Sequence, residues 1–166
     1  IHPLDLMRYW AGDVAWTEAR YIQRHPDDIE DGGDNPDGYS VTFGFDSGMI
    51  ANLVLTRLRK TFWGDAYQDI AWDRGHLKIE AEGPVAYYYD GPYPPPDKID
   101  PATLRHPLST AARNDSTLAI NQAFIDALCR GSQEPLRNTF SSSMNSLAAV
   151  LAANLSHDLG GERIDL

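Results

Sequence analysis

Hydrophobic and polar positions along the chain follow helical and strand-like periods in turn, with short turn signals between them. Apolar residues recur at helical spacing from Pro3 to Ala11, and Gly12 suits a carboxy-terminal cap, so a short helix is predicted. Residues 14–22 mix β-branched and aromatic side chains and predict a strand. The Asp-, Gly- and Pro-rich stretch at 24–38 predicts a loop.

The middle of the chain predicts an antiparallel meander. Its predicted strands share alternating polarity and span residues 39–45, 49–58, 67–72, 76–82 and 85–89. Turn residues at 46–48 and 73–75 join them, and connections this short favour antiparallel pairing because parallel neighbours need a long crossover. The proline-rich stretch at 93–107 predicts an extended surface loop.

Two helices are predicted after the proline-rich stretch. One begins at Asp115 or Ser116 and ends at Gly131, and the other runs from about Thr139 to Leu159. Their stripes of apolar residues predict that both pack on the sheet. In the second helix the stripe consists of Met144, Leu147, Ala148, Leu151, Ala152, Leu155 and Leu159. The predicted fold class is α+β, an open, mostly antiparallel β-sheet with helices packed on one face.

The charge and cysteine content of the sequence limit its expected binding partners and cellular location. Fourteen Lys and Arg against twenty-four Asp and Glu give a net charge of −10, which argues against nucleic acid and anionic membranes as partners. Cys129 is the only cysteine, which excludes an internal disulfide and indicates a reducing, cytoplasmic location. The sequence opens at Ile1 on an apolar periodic segment, so we expect it to be a piece of a longer polypeptide.

Several binding and catalytic motifs are absent from the sequence or have the wrong spacing. The chain has neither G-x-G-x-x-G nor a P-loop, so by itself it is not expected to hold a dinucleotide. Ser156 and His157 are adjacent in a helix and diverge, which disfavours a hydrolase nucleophile. The acidic cluster at 27–37 does not fit a calcium loop, because Pro36 stands sixth counted from Asp31, and a solvated loop is favoured.

Aromatic residues and two-sided strands suggest contact surfaces. Sugar stacking is one role for the aromatic residues, but strand aromatics more often fill cores or interfaces. The residues concerned are Tyr87, Tyr88, Tyr89, Tyr93, Trp10, Trp16, Trp63 and Trp72. His76 lies on the polar side of its strand and is predicted to be exposed. Residues 49–55 are apolar on both faces, so the sheet face without helices is expected to bury against another subunit.

His2 and Asp5 form a candidate site pair. They lie three residues apart at the start of a predicted helix, which places an imidazole and a carboxylate on one face. From the residues alone, a helix-capping role is at least as well supported as catalysis.

The segment from Ile1 to Gly12 is similar to the Ile-x-His-x-x-Asp-helix-Gly signature that opens the second half of the Gfo/Idh/MocA oxidoreductases. That family contains glucose-fructose oxidoreductase and inositol dehydrogenase. Further likenesses continue along nearly the whole chain. They are the hairpin at 41–53, the Gly-x-Leu opening at 75–77, the Phe-helix-Gly-x-x-x-Pro element at 124–135, and the last helix and strand at 146–166.

The resemblance implies that residues 1–166 are one domain, the carboxy-terminal substrate-binding and oligomerisation domain of an NAD(P)-dependent oxidoreductase. An amino-terminal Rossmann domain upstream would bind NAD or NADP and supply a catalytic Lys, and no metal is expected. His2 matches the family histidine assigned to proton transfer with the substrate hydroxyl. Asp5 matches an aspartate that orients substrate, and another family aspartate would lie upstream of Ile1.

The function that follows is dehydrogenation of a sugar or cyclitol-like alcohol, in a homodimer or homotetramer formed through the open sheet face. This chain without its cofactor domain is expected to be inactive. The alternative is a stand-alone, non-enzymatic sugar-binding or dimerisation module of the same fold. A G-x-G-x-x-G strand-turn-helix unit upstream would decide for the enzyme.

Overall fold

The computed structural model describes residues 2–22, 36–56, 68–80, 83–92, 99–108, 116–134, 136 and 138–166. The helices in these residues are α1 (His2–Ala11), α2 (Ser116–Arg130) and α3 (Phe140–Asp158). The strands are β1 (Val14–Ile22), β2 (Gly38–Phe45), β3 (Ile50–Thr56), β4 (Gln68–Trp72), β5 (Gly75–Glu80), β6 (Gly83–Tyr88), β7 (Arg105–Pro107) and β8 (Ile164–Asp165). They divide into two compact units, one from residues 1–60 and 129–166 and the other from residues 61–128.

The first unit is an antiparallel sheet in the order β3-β2-β1-β8, with α1 and α3 on one face. The predicted hairpin is confirmed, since β2 and β3 pair antiparallel around Gly48, whose φ of 85° is left-handed and suits glycine. Helices and strands meet in one apolar cluster. It consists of Leu4, Ala11, Val14, Ala19, Val41, Phe43, Phe45, Ala149 and Ala153.

Helix α3 packs with its small residues, which corrects the prediction that its large apolar stripe faces the sheet. The buried positions of α3 are Ser146, Ala149, Ala152, Ala153 and Ser156. Of the predicted stripe only Ala152 is buried. The others are exposed, namely Met144, Leu147, Ala148, Leu151, Leu155 and Leu159. Small side chains let the helix approach the sheet closely enough for side-chain to backbone hydrogen bonds, and a face of large side chains could not come so near.

These hydrogen bonds from α3 are made along the outer edge of β1, where β8 pairs only with Trp16 and Thr17. The Val14 N–H donates to Asn145 Oδ1 at 2.8 Å, and Asn145 Nδ2 donates to the Val14 carbonyl oxygen at 3.0 Å. The Ala19 N–H donates to Ser156 Oγ at 2.9 Å. Helix α3 therefore satisfies backbone groups that a longer edge strand would otherwise pair.

The second unit contains an antiparallel sheet in the order β4-β5-β6-β7. The predicted hairpin at 68–80 is confirmed. The prediction of loop up to Pro107 is wrong for residues 101–107. Pro101–Leu104 form a short 3-10 helix, and residues 105–107 form the edge strand β7 beside β6. Proline is tolerated there because an edge strand leaves backbone groups unpaired.

Helix α2 has the predicted extent and ends before Gly131, whose φ is 60°. Its large apolar residues, however, are exposed, which differs from the prediction that it packs on the sheet. They are Leu118, Ile120, Phe124, Ile125 and Leu128. Periodicity identifies an apolar face of a helix but not the surface that this face contacts.

The α+β class with antiparallel sheets is confirmed, and the described strands are divided between two four-stranded sheets. The assignment of residues 1–166 to one functional domain stays a prediction. Several predicted features lie outside the described residues. They are residues 23–35 with most of the acidic cluster, Trp63, and residues 93–98 with Tyr93.

Candidate functional site

Helix α1 places the two candidate residues. Leu4 is buried in the core and fixes which face of the helix points inward. His2 stands at the first position of the helix with its side chain exposed, and Asp5 follows one turn later, half-buried. The structure thus puts both residues at the same end of one helix, as their spacing predicts.

Asp5 belongs to a hydrogen-bonded network between α1 and α3. Ser146 Oγ, which is fully buried, donates to Asp5 Oδ1. Arg8 Nη1 donates to Ser146 Oγ at 2.9 Å, and Arg8 Nη2 pairs with Asp13 Oδ1. The Arg8 side chain is only 11% exposed, and its guanidinium links the Asp13 carboxylate to the buried Ser146 hydroxyl.

Sequence reasoning missed three members of this network. Arg8 lies three residues after Asp5 on the same helix, so spacing alone could have suggested that pair. Asp13 lies beyond the end of α1 and five residues after Arg8, so helical spacing does not indicate this ion pair. Ser146 lies 141 residues from Asp5, and its participation depends on tertiary packing that periodicity does not reveal.

A second polar cluster surrounds Tyr21 of β1. The Tyr21 hydroxyl donates to Asn154 Oδ1 at 2.6 Å, and its ring stacks on His157 at 4.6 Å between centroids. Burial raises the pKa of Tyr21, and negative charge on Tyr39 and Asp158 would raise it further. The hydroxyl therefore stays protonated and remains a donor at neutral pH.

Ser156 and His157 have structural partners. Ser156 Oγ accepts the Ala19 N–H and donates to the Glu162 carbonyl oxygen at 2.6 Å. His157 Nδ1 accepts the Tyr21 N–H at 3.3 Å. Both side chains bind the backbone of neighbouring segments, which agrees with the prediction that they are not a hydrolase pair.

Trp16 of β1 packs against neighbouring residues of the first unit. A Cβ atom on Gly44 would come within 2.0 Å of the Trp16 ring, so that ring lies directly on the glycine. Arg163 Cζ lies 4.6 Å from the Trp16 ring centroid. This packing agrees with the interpretation of Trp16 as a filler of core or interface.

His76 is half-buried against the Tyr87 ring, with centroids 4.9 Å apart, which corrects the prediction that it is exposed. The two residues lie directly opposite each other on neighbouring strands, where side chains of one face meet. Alternation along a single strand gives the face of His76 but not the bulk of its cross-strand neighbour.

The described glycines with positive φ do not form a pyrophosphate cradle. A pyrophosphate cradle places glycines before the amino end of a helix. The glycines with positive φ instead follow helices or occupy a hairpin turn. They are Gly12, Gly48, Gly131, Gly160 and Gly161.

Within the described ranges, no three His, Cys, Asp or Glu side chains come together as a metal site would require. No described helix has the length and apolar character needed to span a membrane.

The fold is that of the carboxy-terminal domain of two-domain oxidoreductases, and the resemblance drawn from the sequence is confirmed at the level of the fold. An oxidoreductase from Agrobacterium radiobacter, determined with NAD+, L-tartaric acid and magnesium, matches 99% of this chain at 23% identity and a TM-score of 0.69. The aldose-aldose oxidoreductase of Caulobacter crescentus, complexed with glycerol, matches 99% at 17% identity and a TM-score of 0.73.

The WlbA dehydrogenase of Bordetella pertussis, in complex with NADH and UDP-GlcNAcA, matches 99% of this chain at 19% identity and a TM-score of 0.67. The chain spans less than half the length of these proteins, namely 46%, 45% and 44%. No protein-family profile matches the sequence, and no curated protein matches it.

Proposed function

We propose that this chain is the substrate-binding and oligomerisation domain of an NAD(P)-dependent oxidoreductase of the Gfo/Idh/MocA type, acting on a sugar or cyclitol-like alcohol. The observation that carries the proposal is the match of 99% of the chain to part of several oxidoreductases. Glycerol and UDP-GlcNAcA in two of those structures support a hydroxyl-rich substrate.

His2 and Asp5 are the residues proposed to act on that substrate. Oxidation of an alcohol requires a base for the hydroxyl proton, and an imidazole exchanges protons near neutral pH. The exposed position of His2 at the start of α1 leaves its ring accessible to a substrate. Asp5 is proposed to bind and orient the substrate through its carboxylate.

The exposed face of α3 supports contact with a cofactor domain. Phe140 is 86% exposed and Leu151 57%, and Met144, Leu147 and Leu155 continue the same stripe. A row of large apolar side chains on one helix face is typical of an interaction surface. We assign this face to the cofactor domain because the matched oxidoreductases are more than twice as long as this chain.

The proposal is tested by determining the sequence upstream of Ile1 and by assaying the complete protein. We expect an upstream G-x-G-x-x-G strand-turn-helix unit and reduction of NAD or NADP with at least one alcohol from a panel of sugars and cyclitols. A start codon directly before Ile1, or no activity across the panel with either cofactor, would favour the stand-alone module.

The chain without a cofactor domain should bind neither NAD nor NADP, because the glycines in its described residues do not form a phosphate cradle and its sequence has no G-x-G-x-x-G. Isothermal titration calorimetry of residues 1–166 with each dinucleotide should show no saturable heat. The complete protein serves as the positive control. Saturable binding by the chain at micromolar concentrations would contradict this expectation.

The open face of the first sheet is the proposed subunit contact. Cross-strand pairing places Trp16, Gly44 and Ile50 in one row, and Ile22, Ile50 and Val54 are exposed. Glu18 and Arg20 add opposite charges on β1, which is suited to a self-complementary surface. We propose a homodimer or homotetramer that buries this face.

Val54→Lys should weaken this association by at least about 10-fold, because Val54 is 73% exposed and a charge there would be buried between subunits. Sedimentation velocity across a concentration series measures the shift towards monomer. Leu151→Lys, on the helix face, is the matched control and should leave the association unchanged. A wild-type chain that stays monomeric at high micromolar concentration would overturn the proposed interface.

A further inference from the structure

Each hydrogen bond in the network between α1 and α3 has a defined donor and acceptor. Arg8 is always a donor, because its guanidinium does not deprotonate in proteins. Its Nη1 group donates to Ser146 Oγ at 2.9 Å. The single hydroxyl proton of Ser146 is then directed to the remaining partner, Asp5 Oδ1.

Burial strengthens this arrangement. Ser146 is fully buried, so water does not compete for its hydroxyl, and the hydrogen bond to a carboxylate is charge-assisted. Arg8 is itself fixed by its ion pair with Asp13 and is nearly buried. An aspartate with a free side chain samples several rotamers, whereas this carboxylate is held from one side by α3.

We propose that Ser146, oriented by Arg8, is a positioning residue that holds the Asp5 carboxylate in the orientation required for substrate. The inference rests on the proposed function and extends it, since it adds a residue of α3 to a site otherwise formed by α1. Ser146 does not touch the substrate and acts only through Asp5.

The test is a kinetic double-mutant cycle in the complete protein, with an alcohol substrate identified by the panel assay. Ser146→Ala should lower kcat/KM by roughly 10- to 100-fold, mainly through KM, because a misplaced substrate ligand weakens productive binding. In the Asp5→Asn background, Ser146→Ala should cause little further loss. A purely structural serine would lower activity by the same factor in both backgrounds.

Ser143→Ala is the matched control, because the Ser143 hydroxyl donates to the Phe140 carbonyl oxygen of its own helix. It should leave kcat and KM unchanged. If Ser146→Ala does not fold, Arg8→Lys gives a second reading, since it keeps a positive charge beside Asp13 but removes the guanidinium donor. Arg8→Lys should also raise KM, and in the Asp5→Asn background it should cause no further loss of kcat/KM.

The outcomes separate the two proposals. An active complete protein in which Ser146→Ala leaves kcat/KM unchanged, or lowers it equally with and without Asp5, overturns the positioning role alone. A complete protein that oxidises no alcohol of the panel overturns the proposed function, and the positioning role falls with it.

Discussion

His2→Asn should lower the turnover of the complete enzyme by roughly 10²- to 10⁴-fold, the usual contribution of a general acid or base. Asparagine keeps much of the size and hydrogen-bonding capacity of histidine but cannot take up the proton of a substrate hydroxyl. Thermal stability should change little, because the His2 side chain is exposed at the first position of α1. Steady-state rates and a thermal melt of the same preparation measure both quantities.

A capping role for His2 predicts the opposite pattern, in which the melting temperature falls and turnover does not. The matched control is His76→Asn, which removes an imidazole that packs on Tyr87 in the second sheet. That variant should keep normal turnover. If His2→Asn also turns over at a near-normal rate, proton transfer by His2 is refuted, and the catalytic base must be sought elsewhere in the complete protein.

Local signals in the sequence predicted the elements well. Gly48 and Gly131 mark a hairpin turn and a helix end, and the structure gives both a positive φ. Alternating polarity predicted the antiparallel hairpins, because their pairing depends on turn residues and on faces that a single segment already displays.

The faces of the helices were harder to predict. Hydrophobicity ranks Leu147 and Leu151 above Ala149 and Ala153 and so predicts the leucines for the core, whereas the structure buries these two alanines. Close approach of α3 to β1 depends on hydrogen bonds such as Asn145 to Val14, which link residues 131 positions apart. An apolar stripe that contacts another domain or subunit has the same periodicity as one that packs within the chain.

The candidate site shows the same division between local and tertiary information. The spacing of His2 and Asp5 is a property of one helix and was available from the sequence. The partner of Asp5 is a serine of α3, and a serine on a helix carries no signal of its own. Its role follows only from complete burial and from the two groups that it joins, Arg8 and Asp5.

Leu4→Ala should destabilise the chain by about 2–5 kcal/mol, the usual cost of truncating a fully buried leucine. Leu4 is 1% exposed and lies in the cluster that joins α1 to Phe43 of β2 and Ala149 of α3. Ala11 and the partly buried Met7 add further apolar contacts of α1, and polar contacts include the bond from Ser47 Oγ to the Ala11 carbonyl oxygen at 2.6 Å. Leu4 is nevertheless the largest fully buried side chain of α1.

Urea unfolding of the wild-type and variant chains measures the loss of Leu4. The control is Leu151→Ala, which removes the same atoms from an exposed position and should change the free energy of unfolding by no more than about 0.5 kcal/mol. Equal losses for the two variants would show that α1 is not anchored by Leu4. The position of His2 would then depend on the other contacts of α1, including the network of Asp5, Arg8 and Ser146, and Ser146→Ala would be the more destabilising change.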